Sequence, residues 1–441
     1  MIMEKKYIYR LFVVVVCLLC SVSTFGQEAY AVYRPDYTRL TFYYDDLRAT
    51  RGGTSYDLNT GSVNPGWYLD GTMSSVTRVV FNPSFVDARP TSTFGWFFGM
   101  ENLQSISDIK YLNTSEVTDM TNMFRLCSKL PTLDVSRFNT EKVTGMANMF
   151  WQCELLTTLD VSGFVTDNVT SMKNMFIYCK KLKSLDVSHF NTENVTNMAD
   201  MFHDCRLLTS IDVSNFDTQN VTDMGAMFQS CSRLKSLDLS HFNTSNVTNM
   251  KSMFVKCVDL TSLDMTSFNT SNVTNMQSMF NQCESLTSLD LSNFNTMNVT
   301  NMSGMFESCI GLTTIYVGSG WSTAAVTVSN TMFSSCYNLV GGQGTTYDDN
   351  CIDATYAHID GGTSNPGYFT GKSLVVERGD VDGDSAIDIN DVTLLINVVL
   401  GQNQQTYNSA AADCDVENGD GSIDINDVTA LLGRVLSGAW N

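Results

Sequence analysis

The sequence predicts an α/β solenoid, with one short strand and one short helix in each 26-residue turn, followed by a small all-α module. Three observations carry this. Cys127, Cys153, Cys179, Cys205, Cys231, Cys257, Cys283 and Cys309 are each 26 residues apart, and Cys336 follows after 27. So strict a period marks a stack of structural repeats. Each repeat joins a period-2 apolar stretch to an apolar stripe at helical spacing. Beyond residue 372 the repeat stops, and a segment D-I-N-D-V-T occurs twice, 36 residues apart.

The unit reads C-x-x-L-x-S-L-D-V-S-x-F-N-T-x-N-V-T-N-M-x-x-M-F-x-x. Leu133 and Val135 alternate with Thr132, Asp134 and Ser136, as a strand with one buried face does. Asn139-Thr140 reads as a turn. Met146, Met149, Phe150, Cys153 and Leu156 follow at helical spacing, with Thr144 as the N-cap candidate. The Met stripe is core packing. The Cys column reads as a ladder of small buried hydrophobes. Disulfides between adjacent turns are the alternative, but stacked helices would hold neighbouring thiols about 8–10 Å apart. Asn-Val-Thr at Asn168, Asn194, Asn220, Asn246, Asn272 and Asn298 matches a glycosylation sequon, and reads better as a repeated turn and cap.

The outward strand positions form columns. Asp134, Asp160, Asp186, Asp212, Asp238, Asp264 and Asp290 make one, flanked on both sides by Ser or Thr. Stacked carboxylates about 4.8 Å apart repel by roughly 1 to 3 kcal/mol. Either hydroxyl and backbone N–H donors hold each Asp, or the column is a ligand face for cations or a repetitive polymer. The positions that vary between units lie elsewhere: Arg137, Gly163, His189, Asn215, His241, Ser267 and Asn293 after the strand, and Trp151, Tyr178, His203 and Gln229 near the helix end. These are the expected carriers of any partner specificity.

L-x-S-L-D-V-S-x-F followed by N-V-T-N-M-x-x-M-F resembles the BspA-like leucine-rich-repeat surface proteins of host-associated anaerobic bacteria. The resemblance covers roughly residues 76–372. It implies a leucine-rich-repeat fold and an adhesion role toward host proteins or other cells.

Residues 1–26 read as a signal peptide: Lys5, Lys6 and Arg10 precede an apolar run, Leu11 to Cys20, and small residues end at Gly26. No other stretch is long enough to span a bilayer, so a transmembrane anchor is not expected and the location is secreted, extracellular or cell-surface. Residues 27–75 read as an N-terminal cap, 76–340 as the solenoid, 341–371 as a C-terminal cap, 372–378 as a linker and 379–441 as the closing module. With 26 Lys and Arg against 46 Asp and Glu, the chain carries a formal charge of −20, which argues against a nucleic-acid partner.

The closing module explains much of that charge. Asp380-Val-Asp-Gly-Asp-Ser-Ala-Ile-Asp-Ile-Asn-Asp391 is a twelve-residue calcium loop. Asp380, Asp382 and Asp384 occupy positions 1, 3 and 5, Ala386 offers its carbonyl at 7, and Asp388 and Asp391 stand at 9 and 12. Calcium takes six to eight hard oxygen ligands, and this spacing wraps them around one ion. A second loop begins at Asp415 with one extra residue. Asp415, Asp420, Asp424 and Asp427 fit positions 1, 5, 9 and 12, Asn418 or Glu417 fits position 3, and Ser422 completes the set. Calcium is the expected cofactor, at the first loop and, through this set, at a second.

Paired loop–helix units with Asp at position 12 resemble a type I dockerin, over about residues 378–436. That resemblance implies a cohesin-type receptor as partner, with recognition at loop positions 10 and 11: Ile389, Asn390, Ile425 and Asn426. Four histidines and the lack of H-E-x-x-H, G-x-S-x-G or P-loop motifs give no catalytic residues. The sequence therefore points to a non-catalytic binding protein, its solenoid contacting a host protein or glycan and its dockerin tethering it. The alternatives are an accessory subunit of a polysaccharide-degrading complex, or a spacer.

Overall fold

The structure is a computed structural model that describes residues 26–372, 379, 381, 387–401, 407, 409–414 and 422–437. The expected signal peptide, residues 1–26, lies outside the described residues apart from Gly26. The chain forms two compact units, Met1–Lys372 and Ser373–Asn441.

The first unit opens with a mixed sheet. Strands β1 (Glu28–Arg34), β2 (Arg39–Asp45) and β3 (Thr54–Asp57) pair antiparallel, with β1 in the middle. On its other side β2 pairs parallel with β4 (Arg78–Phe81), and β4 with β5 (Ser105–Ser107). Pairing thus switches from antiparallel to parallel at β2. Beneath it, Phe42 stacks on Phe81 and Trp96, with ring centroids 4.7 and 4.9 Å apart, and meets Trp67 edge-on. This aromatic cluster is fully buried. It closes the apolar end that the first repeat would otherwise expose.

The repeats stack in parallel. One residue of each coil bridges the next, from Ser92 through Asp119, Gly145, Ser171, Asn197, Asp223, Asn249, Asn275 and Asn301 to Val328. Strands β6 (Ser236–Asp238), β7 (Ser262–Asp264), β8 (Ser288–Leu291) and β9 (Thr314–Val317) lie where the period-2 pattern predicts, and β6 pairs with β7 and β8 with β9. The expected strands at Leu133, Leu159, Leu185 and Ile211 occupy the same face without ladder bonds among the described residues.

The expected helix is absent: no described residue of the coils is α-helical. The Met–Phe–Cys stripe is instead a run of overlapping four-residue turns. Met175, Ile177 and Cys179 donate to the carbonyls of Met172, Asn174 and Phe176 in their own coil. Between them, Met172, Asn174, Phe176 and Tyr178 donate to Asn197, Ala199, Met201 and His203 of the next. A helix would spend its amides on its own i−4 carbonyls, whereas here every second amide is left to bind the neighbouring coil. The turns require left-handed residues, Asn174 at φ 57° and Tyr178 at φ 60°. Asn, Asp, Ser or Gly fills most of the first such positions, as that conformation favours. Met172, Met175, Phe176 and Cys179 still point inward, so the spacing imitates a helix.

Inside the stack, Phe124, Phe150, Phe176, Phe202, Phe228, Phe254, Phe280, Phe306 and Phe333 form a continuous ring column with centroids 5.6 to 6.0 Å apart. Beside it run the cysteines, all free thiols. Each Sγ of the column from Cys127 to Cys336 donates to a Phe carbonyl of the preceding coil, at 2.9 to 3.3 Å. Burial pushes the Cys179, Cys257 and Cys336 thiols up to about 12, away from thiolate chemistry.

At the far end, β10 (Phe369–Gly371) adds parallel to β9. The closing loops are organised by one carboxylate that the sequence did not single out. Asp360 is 4 % exposed and accepts the amides of Gln343, Thr345 and Gly362 at 2.7 to 3.0 Å and the Thr345 hydroxyl at 2.7 Å. Burial opposes its charge, but these donors hold the carboxyl well below the usual range.

Candidate functional site

The second unit is built on two helices, Ile389–Val399 and Ile425–Ser437, each beginning inside the repeated D-I-N-D. Asp388 caps the first, its Oδ1 accepting the Asn390 amide at 2.7 Å. Asp424 caps the second, accepting the Asn426 amide at 2.7 Å. Asp caps a helix start because its carboxylate satisfies an amide with no intrahelical partner. Asp391 and Asp427, three residues on, are 0 % and 1 % exposed. Asp391 accepts the Val381 amide at 2.7 Å and the Asp388 amide at 2.9 Å. Asp427 accepts the Cys414 amide at 2.6 Å and the Asp424 amide at 2.8 Å. Each carboxylate therefore ties the start of its loop to the start of its helix. Val381, Val392, Leu395, Cys414, Val428 and Leu431 form the shared core beneath.

Of the sequence-predicted calcium ligands, Asp388, Asp391, Ser422, Asp424 and Asp427 are described. Asp380, Asp382, Asp384, Ala386, Asp415, Asn418 and Asp420 lie outside the described residues. The donor set fits the ion. It is all oxygen, and it places a fully buried carboxylate at each loop end, where a charge needs a counter-charge.

Of the sequence-predicted recognition residues, Ile389 is 58 % and Ile425 62 % exposed, and Asn390 and Asn426 lie exposed beside them. Sequence reasoning missed four companions. Ile396, Leu400, Leu432 and Leu436 are also large, apolar and exposed. They fall into pairs 36 residues apart, as Ile389 and Ile425 do. Each half thus exposes an apolar residue at the same three places, and the 36-residue duplication was the signal that could have found them.

The Asp column of the coils has its own donors. Asp134, Asp160, Asp186 and Asp264 each accept the amide and the hydroxyl of the Ser or Thr two residues on, at 2.6 to 3.1 Å. Asp212, Asp238 and Asp290 accept the amide at 3.0 Å, and Asp290 also pairs with Lys372. The Ser136, Ser162 and Ser188 donors hold the carboxyls of Asp134, Asp160 and Asp186 below the ordinary carboxylate range. These bonds use one oxygen, Oδ1. Thr158–Asp160, Ser184–Asp186 and Ser210–Asp212 line a shallow groove of about 440 Å³ on this face.

Several of the variable positions after the strand are clamps between coils. His189 and His241 use Nε2 on the carbonyls of Val161 and Val213, at 2.9 and 2.8 Å. The Ser267 hydroxyl donates to the carbonyls of Leu239 and Phe242, and the Asn293 amide to those of Met265, Thr266 and Phe268. Trp151 is half-buried under Arg125, 3.9 Å from its ring, which makes it a packing group. The sequon asparagines are clamps too. Asn168, Asn194, Asn220, Asn246, Asn272 and Asn298 each donate Nδ2 to a carbonyl of the preceding coil, at 2.7 to 2.8 Å. A bulky group on that nitrogen would oppose the packing.

Comparison with known proteins agrees with both halves of this description. A family model described as "Mycoplasma protein of unknown function, DUF285" matches three overlapping stretches, residues 91–210, 153–260 and 231–343. Together they span more than half of the chain, and the chain belongs to that family. A type I dockerin domain matches residues 378–436; such domains bind calcium. Among solved structures, the chain is similar to a leucine rich cell surface protein from Faecalibacterium prausnitzii A2-165, at 18 % identity and a TM-score of 0.34, covering 71 % of this chain and 92 % of that one. It is also similar to a leucine-rich repeat protein from Eubacterium ventriosum ATCC 27560, at 17 % identity and a TM-score of 0.33, covering 70 % and 93 %. No curated protein matches the chain. Among the described residues no helix is long and apolar enough to cross a membrane.

Proposed function

We propose that this is a secreted, non-catalytic binding protein held on a cohesin-bearing scaffold or cell surface by its calcium-dependent C-terminal unit. The observation that carries the reading is the duplicated exposed face: Ile389, Ile396 and Leu400 on one half, Ile425, Leu432 and Leu436 on the other. Exposed apolar groups set at matched places around rigid helices are what a partner buries. Calcium, when bound, supplies the counter-charge that draws each acidic loop onto its helix. Asp380, Asp382, Asp384, Ala386, Asp388 and Asp391 hold it in the first loop. The duplication offers the receptor two equivalent faces. Both matched modules are non-catalytic, which supports binding over catalysis.

Residues 27–75 and 341–371 act as end caps of a 76–340 solenoid. Its strand face, with the Asp column from Asp134 to Asp290, contacts an extended ligand. The groove repeats the same Ser/Thr–Leu/Ile–Asp triplet over three coils. That favours a ligand that itself repeats, such as a glycan, over one irregular protein epitope.

The test is capture from the native surface and secretome with residues 27–441 as bait, in calcium or in EDTA. A cohesin-type partner captured in calcium alone, and lost when Ile389 and Ile425 are both changed to Asp, supports the docking reading. Capture that ignores both calcium and that double change overturns it.

A further inference from the structure

The two halves of the C-terminal unit align without a gap at a 36-residue offset, except at the start of the second loop. In the first half the closing carboxylate, Asp391, accepts the amides of Val381 and Asp388, at loop positions 2 and 9. In the second half Asp427 accepts the amides of Cys414 and Asp424. Asp424 and Asp427 keep the 36-residue offset, but Cys414 stands only 33 residues after Val381. Both Val381 and Cys414 are fully buried in the shared core. The contact that defines position 2 therefore falls on Cys414. Spacing alone begins the loop at Asp415 and would put Val416 at position 2.

We infer that Asp413, directly before Cys414 as Asp380 is directly before Val381, is the first calcium ligand of the second loop. This rests on the calcium-dependent docking proposed above and changes the register of its second site. Asp413 through Asp427 spans fifteen residues, against twelve from Asp380 through Asp391, so the second loop carries three additional residues rather than one. Asp413 is half-buried beside the core. Asp415 then falls two residues after the first ligand, at the alternate spacing that calcium loops use for positions 1 and 3.

The experiment is calcium titration of the full chain by calorimetry, with far-UV circular dichroism in saturating calcium to confirm folding. The wild type is expected to bind two calcium ions. Asp413→Asn and Asp380→Asn are each expected to lose one, by at least a tenfold weakening of that site. Deleting residues 416–418 restores a twelve-residue loop beginning at Asp413, and is expected to keep both ions. An Asp413→Asn protein that binds two ions as tightly as wild type, or a deletion that loses one, overturns the assignment and leaves calcium-dependent docking standing. A wild type that binds one ion, lost in Asp380→Asn, also overturns it while the first loop stands. A wild type that binds none overturns the docking reading as well.

Discussion

The two units bury their cores by opposite means. The coil stack holds itself together through contacts repeated at every turn: alternate amides, thiols, Asn side chains and Phe rings all reach the neighbouring coil. Its cohesion is distributed. The C-terminal unit has a small core and concentrates its polar organisation in two buried carboxylates at the ends of acidic loops. Residues 373–441 hold twelve acidic against two basic side chains. Repetition spreads the cohesion of the stack over many like contacts, whereas the small unit rests on two.

The largest effect should come from removing calcium. EDTA is expected to unfold the C-terminal unit, seen as loss of its helical dichroism and of one calorimetric transition, with the transition of the stack unmoved. Within the stack, Phe228→Ala breaks the ring column and should cost about 3–5 kcal/mol in a urea titration. Asp360→Ala leaves several part-buried amides without their acceptor and should cost about 1–3 kcal/mol, read as earlier melting of the 341–371 loops. Asn220→Ala removes one clamp and should cost about 0.5–1.5 kcal/mol. The smallest effect belongs to pH. The Ser188 hydroxyl and amide hold Asp186 below its ordinary value, so the unfolded chain takes up its proton first. That contribution is present above the unfolded pKa of about 3.9 and is lost as pH falls through the folded value. Urea midpoints at pH 7 and pH 3 should differ less in Ser188→Ala than in wild type.

Much of this was legible in the sequence. The period fixed the coils, the alternation around Leu237 and Leu263 fixed the strands, and the apolar columns fixed the core. The Met–Phe–Cys stripe misled because the left-handed residues at Asn174 and Tyr178 let turns bury the same positions that a helix would. Side-chain periodicity reports which residues face inward and says nothing of where the amides go. The clamps at His189 and Asn293 looked like specificity determinants because several side chains can reach the same carbonyls, so the position tolerates change. Asp360 was invisible because most of its partners come from a loop segment, 343–345, some fifteen residues away in sequence. In the C-terminal unit the Asp spacing was legible, while the register of the second loop depended on which amide meets Asp427.

Amide hydrogen exchange on the full chain, with calcium and with EDTA, tests the central contrast most directly. The account predicts that adding calcium raises protection sharply across 379–437 and leaves the coils from 91 to 343 unchanged. Protection that shifts throughout the coils, or that shifts nowhere, would contradict it.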